Sequence, residues 1–542
     1  MRHYIIKLAL LSVFAFVVVT ETHAQEGAQV SGSLQLNQNF YVKDSKFFDG
    51  QIPPQYDNQK SSTDGWLNLN YRYKNITAGI RYDLLLNSGL RNPNTALNRQ
   101  GVGNWFVTLD LDKVEITGGY FYDQFGSGAA FRAFEERAQL LDYAIQGLRI
   151  KYDFAENWRL KAFVGRQKAN PEDVEDDLLE TDKAVIKGLN VEGFEKLGEL
   201  SFAPGISLVN RTLSDEQLQE IEGLISQQNE ATRFSPDQNT WTYSVYNTLG
   251  YKNFSWLVEY NYKTPEAGFV NPILSNDLKE EKGDLLYSSL TYSLPGFGLI
   301  VQYRRMENFQ FRTSPLQLNN NGLISYLPAF SRQNTYRLTG RYVPAPQFDG
   351  EEAVQADLFL KLSKKQSLNL NGALNYDLNG NEQYKELFAE HKIKFNRRFT
   401  LKYGAQYQSY DLAVYEAKSE LPVLTAITPF VSAVNRLSKK YALKTELSAM
   451  FTEEDQGDWS WFLAELSRGS KYSIQVSHMF NYGNPDADKQ LQYFSVFANA
   501  NFGSHRLSAG FVQQPETVVC NGGVCRLEPA FNGAKLSYQV VF

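Results

Sequence analysis

Five histidines and two cysteines are the side chains of this 542-residue chain best suited to nucleophilic or metal chemistry. A hydrolase would need a histidine beside a nucleophile or an acid, and the spacing does not supply one. His3 and His23 fall in an N-terminal export signal. His391 keeps step with Leu387, Ala389, Ile393 and Phe395, and His478 with Ile474, Val476, Phe480 and Tyr482. Both therefore share an apolar register, and His505 adjoins a short turn at Gly503-Ser504. No catalytic, cofactor-binding or metal-ligating set is expected, and the chain does not read as an enzyme. Cys520 and Cys525 bracket Asn521-Gly522-Gly523-Val524. Two cysteines around a Gly-Gly turn in an exported protein suit a small disulfide-closed loop. Two thiolates with no nearby histidine make a poor zinc site.

Charge is denser in Phe125-Gly126-Ser127-Gly128-Ala129-Ala130-Phe131-Arg132-Ala133-Phe134-Glu135-Glu136-Arg137. Gly126 and Gly128 permit a sharp redirection of the chain. If the residues after them are helical, Arg132 and Glu136 are spaced to pair. Turned inward, Arg132, Glu135, Glu136 and Arg137 would constrict a lumen and meet neighbouring charges such as Arg81 and Asp83. An ordinary solvated loop is the equal alternative. Tyr326-Leu327-Pro328-Ala329-Phe330-Ser331-Arg332-Gln333 suits either an inward element or a strand at a bulge. Pro171 to Asp182 is strongly acidic. It lacks the ligand spacing of a calcium loop and reads as a solvated surface loop, with divalent bridging to lipopolysaccharide as the lesser alternative.

These residues need elements to hold them, and the elements are strands. Phe254, Trp256, Val258, Tyr260 and Tyr262 alternate with polar neighbours, as do Leu67, Leu69, Tyr71 and Tyr73. Period two puts one set on each face of a strand. The connections alternate as well. Lys74-Asn75, Asp112-Lys113, Lys252-Asn253, Pro295-Gly296, Asn396-Arg397 and Gly503-Ser504 are short, whereas 43–62, 88–101, 168–183, 210–239, 265–282 and 515–532 are long. Short periplasmic turns and long extracellular loops mark a transmembrane antiparallel β-barrel. The chain ends inside such a strand, with Leu536, Tyr538, Val540 and Phe542 on one face as an expected barrel-assembly signal. Strand number is expected at about 26, with 24 as the alternative. Parity counted from the two ends disagrees across 313–344, and an extra strand at Gly322–Phe330 is the repair. Leu213 to Ile225 reads as a short amphipathic helix with a Ser214/Gln217 capping box, packed on its own barrel rim, with a partner-docking helix as the lesser alternative.

Residues 1–24 read as a signal peptide, with Arg2 and Lys7 before the apolar run from Leu8 to Val19. Residues 25–542 are then one barrel domain with no separate plug or peptidoglycan-binding domain. The aromatic share of 14% and the negative mean hydropathy fit a barrel whose inner polar faces dilute its outer apolar ones. A formal net charge of −6 gives no sign of nucleic acid as a partner.

The Phe-Gly-Ser-Gly…Arg…Glu-Glu-Arg segment, Tyr326-Leu327-Pro328-Ala329, the Cys520…Gly-Gly-Val-Cys525-Arg526 loop and the Phe542-terminated strand together resemble a family of Bacteroidota outer-membrane barrels. The likeness spans most of the chain and implies the barrel fold and an outer-membrane location. Members commonly carry Lys-Gln-His shortly after Tyr-Leu-Pro-Ala, where this chain has Arg332-Gln333-Asn334. The residues themselves fit two functions: a porin-like channel for small polar solutes, favoured by the polar lumen, or a structural subunit of a secretion, uptake or barrel-assembly complex, favoured by the long loops. Expected partners are outer-membrane lipid and lipopolysaccharide, the barrel-assembly machinery, and other outer-membrane proteins or surface lipoproteins. No cofactor is expected.

Overall fold

The computed structural model describes residues 27–542 except 45–55, 57–58, 92–94, 173, 175–176, 271–275, 334, 419–420 and 522–523. The expected signal peptide lies outside the described residues, as does Asn334. The alternating segments form one antiparallel sheet that closes on itself. Ala28–Tyr41 pairs with Ser61–Tyr73 on one side and with the last strand, Phe531–Val541, on the other. Closure extends one residue further. Gly32 and Phe542 exchange backbone N–H···O bonds of 2.7 and 3.0 Å. The Phe542 ring lies over Gly32, where a Cβ would come within 2.7 Å of it.

Twenty-four strands close the barrel, the even number expected of a single-chain bacterial barrel. The sheet contains one further short strand, Glu195–Leu197. It continues the register of Val185–Gly193 along the same neighbour, Leu200–Thr212. The break falls opposite Pro204, which has no N–H to give to the ladder, so the two pieces act as one interrupted strand. The expected figure of about 26 is thereby corrected to its alternative, 24. The extra strand placed at Gly322–Phe330 does not form. Phe297–Glu307 and Gly350–Leu360 pair directly with each other, so residues 308–349 between them are one long excursion. Val114–Phe121 and Ile145–Ala155 likewise pair directly, which leaves 122–144 as a second excursion.

Side-chain placement follows the period-two pattern. Ile80, Trp105, Val245, Trp256, Tyr260 and Phe494 are exposed on the outer face. Asn190, Thr242, Asn261, Glu386, Gln406 and Gln408 are buried on the inner one. Tyr73, Tyr251, Tyr292, Tyr441, Tyr472 and Phe502 sit exposed beside the short turns, as an aromatic girdle at one interface requires. His391 and His478 belong to the outer register, hydrogen-bonded to Tyr403 and Gln492 respectively. His505 contacts the Tyr538 hydroxyl at 2.7 Å. Among the four terminal residues on that face, Leu536 and Phe542 are exposed while Val540 is buried.

The amphipathic helix forms over Asp215–Gln227 with both capping-box bonds present. Its Ile221 and Ile225 bury against Leu213, Ala267 and Leu278 on the barrel's own rim. Cys520 and Cys525 stand directly opposite each other in the hairpin Thr517–Asn521/Val524–Glu528. Their side chains lie outside the description.

Candidate functional site: an occluded lumen and its vestibule

Both excursions leave the long-loop end of the barrel and turn into it. The Phe125 segment is extended rather than helical, with two-residue strands at Phe131–Arg132 and Glu135–Glu136 and a 3-10 turn at Arg137–Gln139. The anticipated Arg132–Glu136 helical pair therefore does not exist. Gly126 adopts φ +51°, a region a side chain resists. It lets the Ser127 N–H reach the carboxylate of Glu259, a buried inner-face residue, at 2.8 Å. A Cβ on Gly126 would lie 2.8 Å from that same carboxylate. Phe125 and Phe131 then bury with Phe163, Ile186, Val209, Phe311 and Ile324.

The two sequence segments singled out for their composition meet inside the lumen. The Arg132 N–H donates to the carbonyl of Ile324, and the Tyr326 N–H to that of Gly128. The Tyr143 hydroxyl donates to the Asn320 carbonyl at 2.6 Å, and Gln167 Nε2 to Leu323 at 2.7 Å. Tyr326-Leu327-Pro328-Ala329 is thus an inward element and not a bulged strand. Residues 122–144 and 308–349 form one plug made from the barrel's own chain.

Buried ions hold that plug. Arg81, on the inner face of Ile76–Ser88, bonds Asp83 through Nε at 2.7 Å and Nη2 at 2.9 Å. It also reaches Glu135 at 2.7 Å and Asp142 at 2.8 Å, both carried by the first excursion. Lys168 approaches Asp142 at 3.2 Å, the Tyr122 hydroxyl donates to it at 2.7 Å, and Arg137 bonds Glu135 at 3.0 Å. Three cations and three carboxylates thus balance in one buried group. Burial would raise the Asp142 pKa, but Lys168 and Arg81 outweigh it and hold the carboxyl well below its ordinary range. Glu135 shifts the other way: burial and the neighbouring Asp142 raise it against Arg81 and Arg137.

The four expected constriction residues divide accordingly. Glu135 and Arg137 join the ion group, and Glu136 caps the 3-10 turn through the Ala138 N–H. Arg132 instead lays its guanidinium over the Phe134 ring at 4.7 Å.

The second excursion is anchored by residues that strand patterning did not single out. Arg304 and Glu351, both fully buried, form an ion pair beneath it, and Arg304 Nη1 donates to the Pro328 carbonyl at 2.7 Å. The Arg332 N–H donates to Glu386 at 3.0 Å, and its guanidinium lies 3.5 Å over Phe388. Tyr336 stacks on Phe430 and donates to Glu390. Charged residues on an inner strand register were the available signal, but register alone does not say which of them has a partner. The acidic loop contributes a strut. Asp182 accepts from Gln217 of the capped helix and from Thr313 and Gln317 of the plug, at 2.8–3.1 Å. Among the described residues no cluster of three or more His, Cys, Asp or Glu could hold a metal ion.

On the long-loop side of the plug lies a cavity of about 1010 Å³. Arg312, Asn320, Arg341 and Tyr342 of the plug form part of its wall, and Lys418, Asp455 and Arg526 of surrounding loops complete it. A smaller cavity of about 350 Å³ lies against the closing seam, lined by Asn37, Asp64 and Lys535 among others, and Arg526 borders both.

Solved structures match this chain at low similarity. The siderophore receptor PirA of Pseudomonas aeruginosa is 9% identical, aligning 96% of this chain with 81% of its own at a TM-score of 0.39. A BenF-like porin of Pseudomonas fluorescens Pf-5 is 10% identical, with 95% and 99% covered and a TM-score of 0.35. OccK11 (OpdR) of Pseudomonas aeruginosa is 10% identical over 95% and 96%, with a TM-score of 0.32. No curated protein matches the sequence. A family profile does match, over residues 2–542, and the chain belongs to that family, the family of unknown function DUF6029.

Proposed function

We propose that the protein is a porin-like conduit for small polar solutes in the outer membrane of a Bacteroidota cell, kept closed by its own inward segments. The observation that carries this reading is the vestibule. It is a large polar chamber above a plug held by side-chain ion pairs and hydrogen bonds, so opening requires no strand to leave the barrel. Short turns face the periplasm and the vestibule faces outward. The signal peptide and the terminal strand with Leu536, Tyr538, Val540 and Phe542 serve export and assembly, lipopolysaccharide surrounds the barrel, and no catalytic step is assigned. Single-channel recording in planar bilayers tests the reading. The native protein should conduct rarely, and a variant with an undocked plug should conduct steadily. A bilayer that stays silent for both overturns it.

The segments folded into the lumen also favour the second reading, a structural subunit whose loops hold a surface lipoprotein or another outer-membrane protein. Stoichiometric co-purification from native membranes, lost on loop deletion while conductance is nil, would select it. Cys520 and Cys525 are proposed to be disulfide-bonded, closing a hairpin tip outside the cell. Both should resist maleimide until a reductant is added, and free thiols in native membranes would refute the bond. A ring of about six residues removes little unfolded-state entropy, so barrel stability should barely depend on it.

A further inference from the structure

We propose that the vestibule contains a binding site for an oxyanion (carboxylate, sulfate or phosphate) built from Arg312, Arg91 and Arg341, so that the solute it admits is acidic. The proposal rests on the conduit reading above and deepens it.

Buried arginines elsewhere in the lumen are matched. Arg81, Arg211 and Arg304 each have a carboxylate in contact: Asp83 or Asp142, Glu266, and Glu351. Arg312 is as buried as these, at 3% exposure, yet among the described residues it has no carboxylate within 4.0 Å. Its Nη1 donates only to the Asn321 carbonyl, and its Nε is buried without an acceptor. Arg91 donates to the side-chain oxygen of the same Asn321. Two guanidiniums therefore converge on one residue, and among the described residues the acid within 4.0 Å of either is Glu172, 3.9 Å from Arg91. Arg341 is likewise buried, lies 4.1 Å over Trp459, donates to Gln456, and leaves its Nε without an acceptor.

The acids on the same walls do not fill the gap. Lys418 bonds both Glu416 and Asp455 at 2.8 Å, and Tyr342 adds a hydrogen bond to Asp455. Asp349 and Glu516 line the cavity without pairing to these arginines. A buried cation lacking a counter-charge is costly, and like charges side by side add to the cost. An entering oxyanion removes both penalties, and a guanidinium fork matches its paired oxygens. The side-chain amides of Asn319, Asn320 and Gln347 on the same walls suit the uncharged polar remainder of such a solute.

The test uses the full-length barrel, refolded in detergent free of lipopolysaccharide and titrated calorimetrically. Probes are sodium glucuronate against glucose, and sodium sulfate against chloride at equal ionic strength. Glucuronate and sulfate should bind saturably and glucose should not. Arg312→Gln and Arg341→Gln should each weaken binding about tenfold or more, the loss expected for a charge-assisted hydrogen bond. Heat-modifiable migration on gels confirms that each variant is folded, and Arg312→Lys should recover part of the affinity by restoring the charge. Absence of saturable anion binding, or binding indifferent to both substitutions, overturns the site. Competition by lipid A more potent than by glucuronate assigns the site to a headgroup phosphate, and the reverse assigns it to a free solute. Because calorimetry needs no current, anion binding by a barrel that never conducts would sink the conduit reading and leave the site standing.

Discussion

Two groups of arginines inside this barrel face opposite electrostatic circumstances. Arg81 is bonded to three carboxylates, two of them delivered by the plug. Arg312, just as buried, has none within 4.0 Å among the described residues. The first arrangement locks a segment in place, because removing either partner strands the other in a low-dielectric interior. The second holds a charge in readiness for something that arrives from outside. Burial with little opposition from Tyr143, Asp349 and Glu266 lowers the Arg312 pKa to about 10, so it remains cationic at neutral pH. The same residue type thus serves as a latch in one place and a receptor in the other, and the difference is the neighbouring acid.

The sharpest way to break this comparison is Arg81→Met. It leaves Asp83, Glu135 and Asp142 with only Lys168 and Arg137 to offset them. Loss of one partner from a buried ion group costs about 3–5 kcal/mol. The strand ladder does not depend on this side chain, so the cost should fall on plug docking. Expected outcomes are steady single-channel conductance and new proteolytic cleavage within 122–144, with the barrel band unchanged on gels. Retained protection of that segment would show that Arg81 is not the latch.

A smaller effect should follow from acid. A carboxylate held below its unfolded value adds stability that is complete above that value, about pH 3.9, and is lost as pH falls through the folded one. Asp142 is such a group. Glu135 has the opposite sign. Its raised pKa means that its charged form opposes docking above the folded value, and that opposition fades as pH falls through it. The plug should therefore stay docked at pH 5 and release only below about pH 4. Conductance recorded against pH checks this, and opening near pH 5 would mean that Asp142 is not held low.

Arg312→Met should move stability the other way. Replacing an unpaired buried charge with an apolar side chain is neutral or favourable, offset by the Asn321 carbonyl losing a donor at about 1 kcal/mol. The thermal midpoint should stay level or rise while anion binding disappears. A loss above about 2 kcal/mol would expose a counter-charge and close the distinction between the two arginine groups.

The barrel was readable from sequence because a strand's faces are set by its own residues. Leu67, Leu69, Tyr71 and Tyr73 declare an outer face without reference to any partner. The plug was readable only as an option. Gly126 and Gly128 announce a redirection, but whether the segment turns inward depends on Glu259 and Arg81, distant in sequence. Residues 313–344 resemble a strand in sequence for a related reason. Apolar residues such as Ile324, Tyr326 and Phe330 imitate a strand, although they bury in the lumen against Phe131, Leu141 and Tyr287. That Arg312 has no contacting acid among the described residues left no sequence signal, since it is a relation among loops that converge only in the folded chain.

The smallest expected effect separates residues within a single segment. Glu135 and Arg132 both belong to the charged run that follows Gly128, and sequence alone gives them equal standing. In the folded chain Glu135 bonds Arg81, whereas Arg132 rests on Phe134 and makes no ion pair within 4.0 Å among the described residues. A guanidinium–ring contact of this kind is worth about 0.5–1 kcal/mol. The N–H that Arg132 gives to Ile324 belongs to the backbone and survives substitution. Arg132→Ala should therefore leave conductance and protease protection near native levels, while Glu135→Lys, which sets a cation against Arg81 and Arg137, raises both conductance and cleavage. Equal effects would mean that the plug is held by the charge of the whole run. The reverse order would place the latch at Arg132 and remove Arg81 from the mechanism.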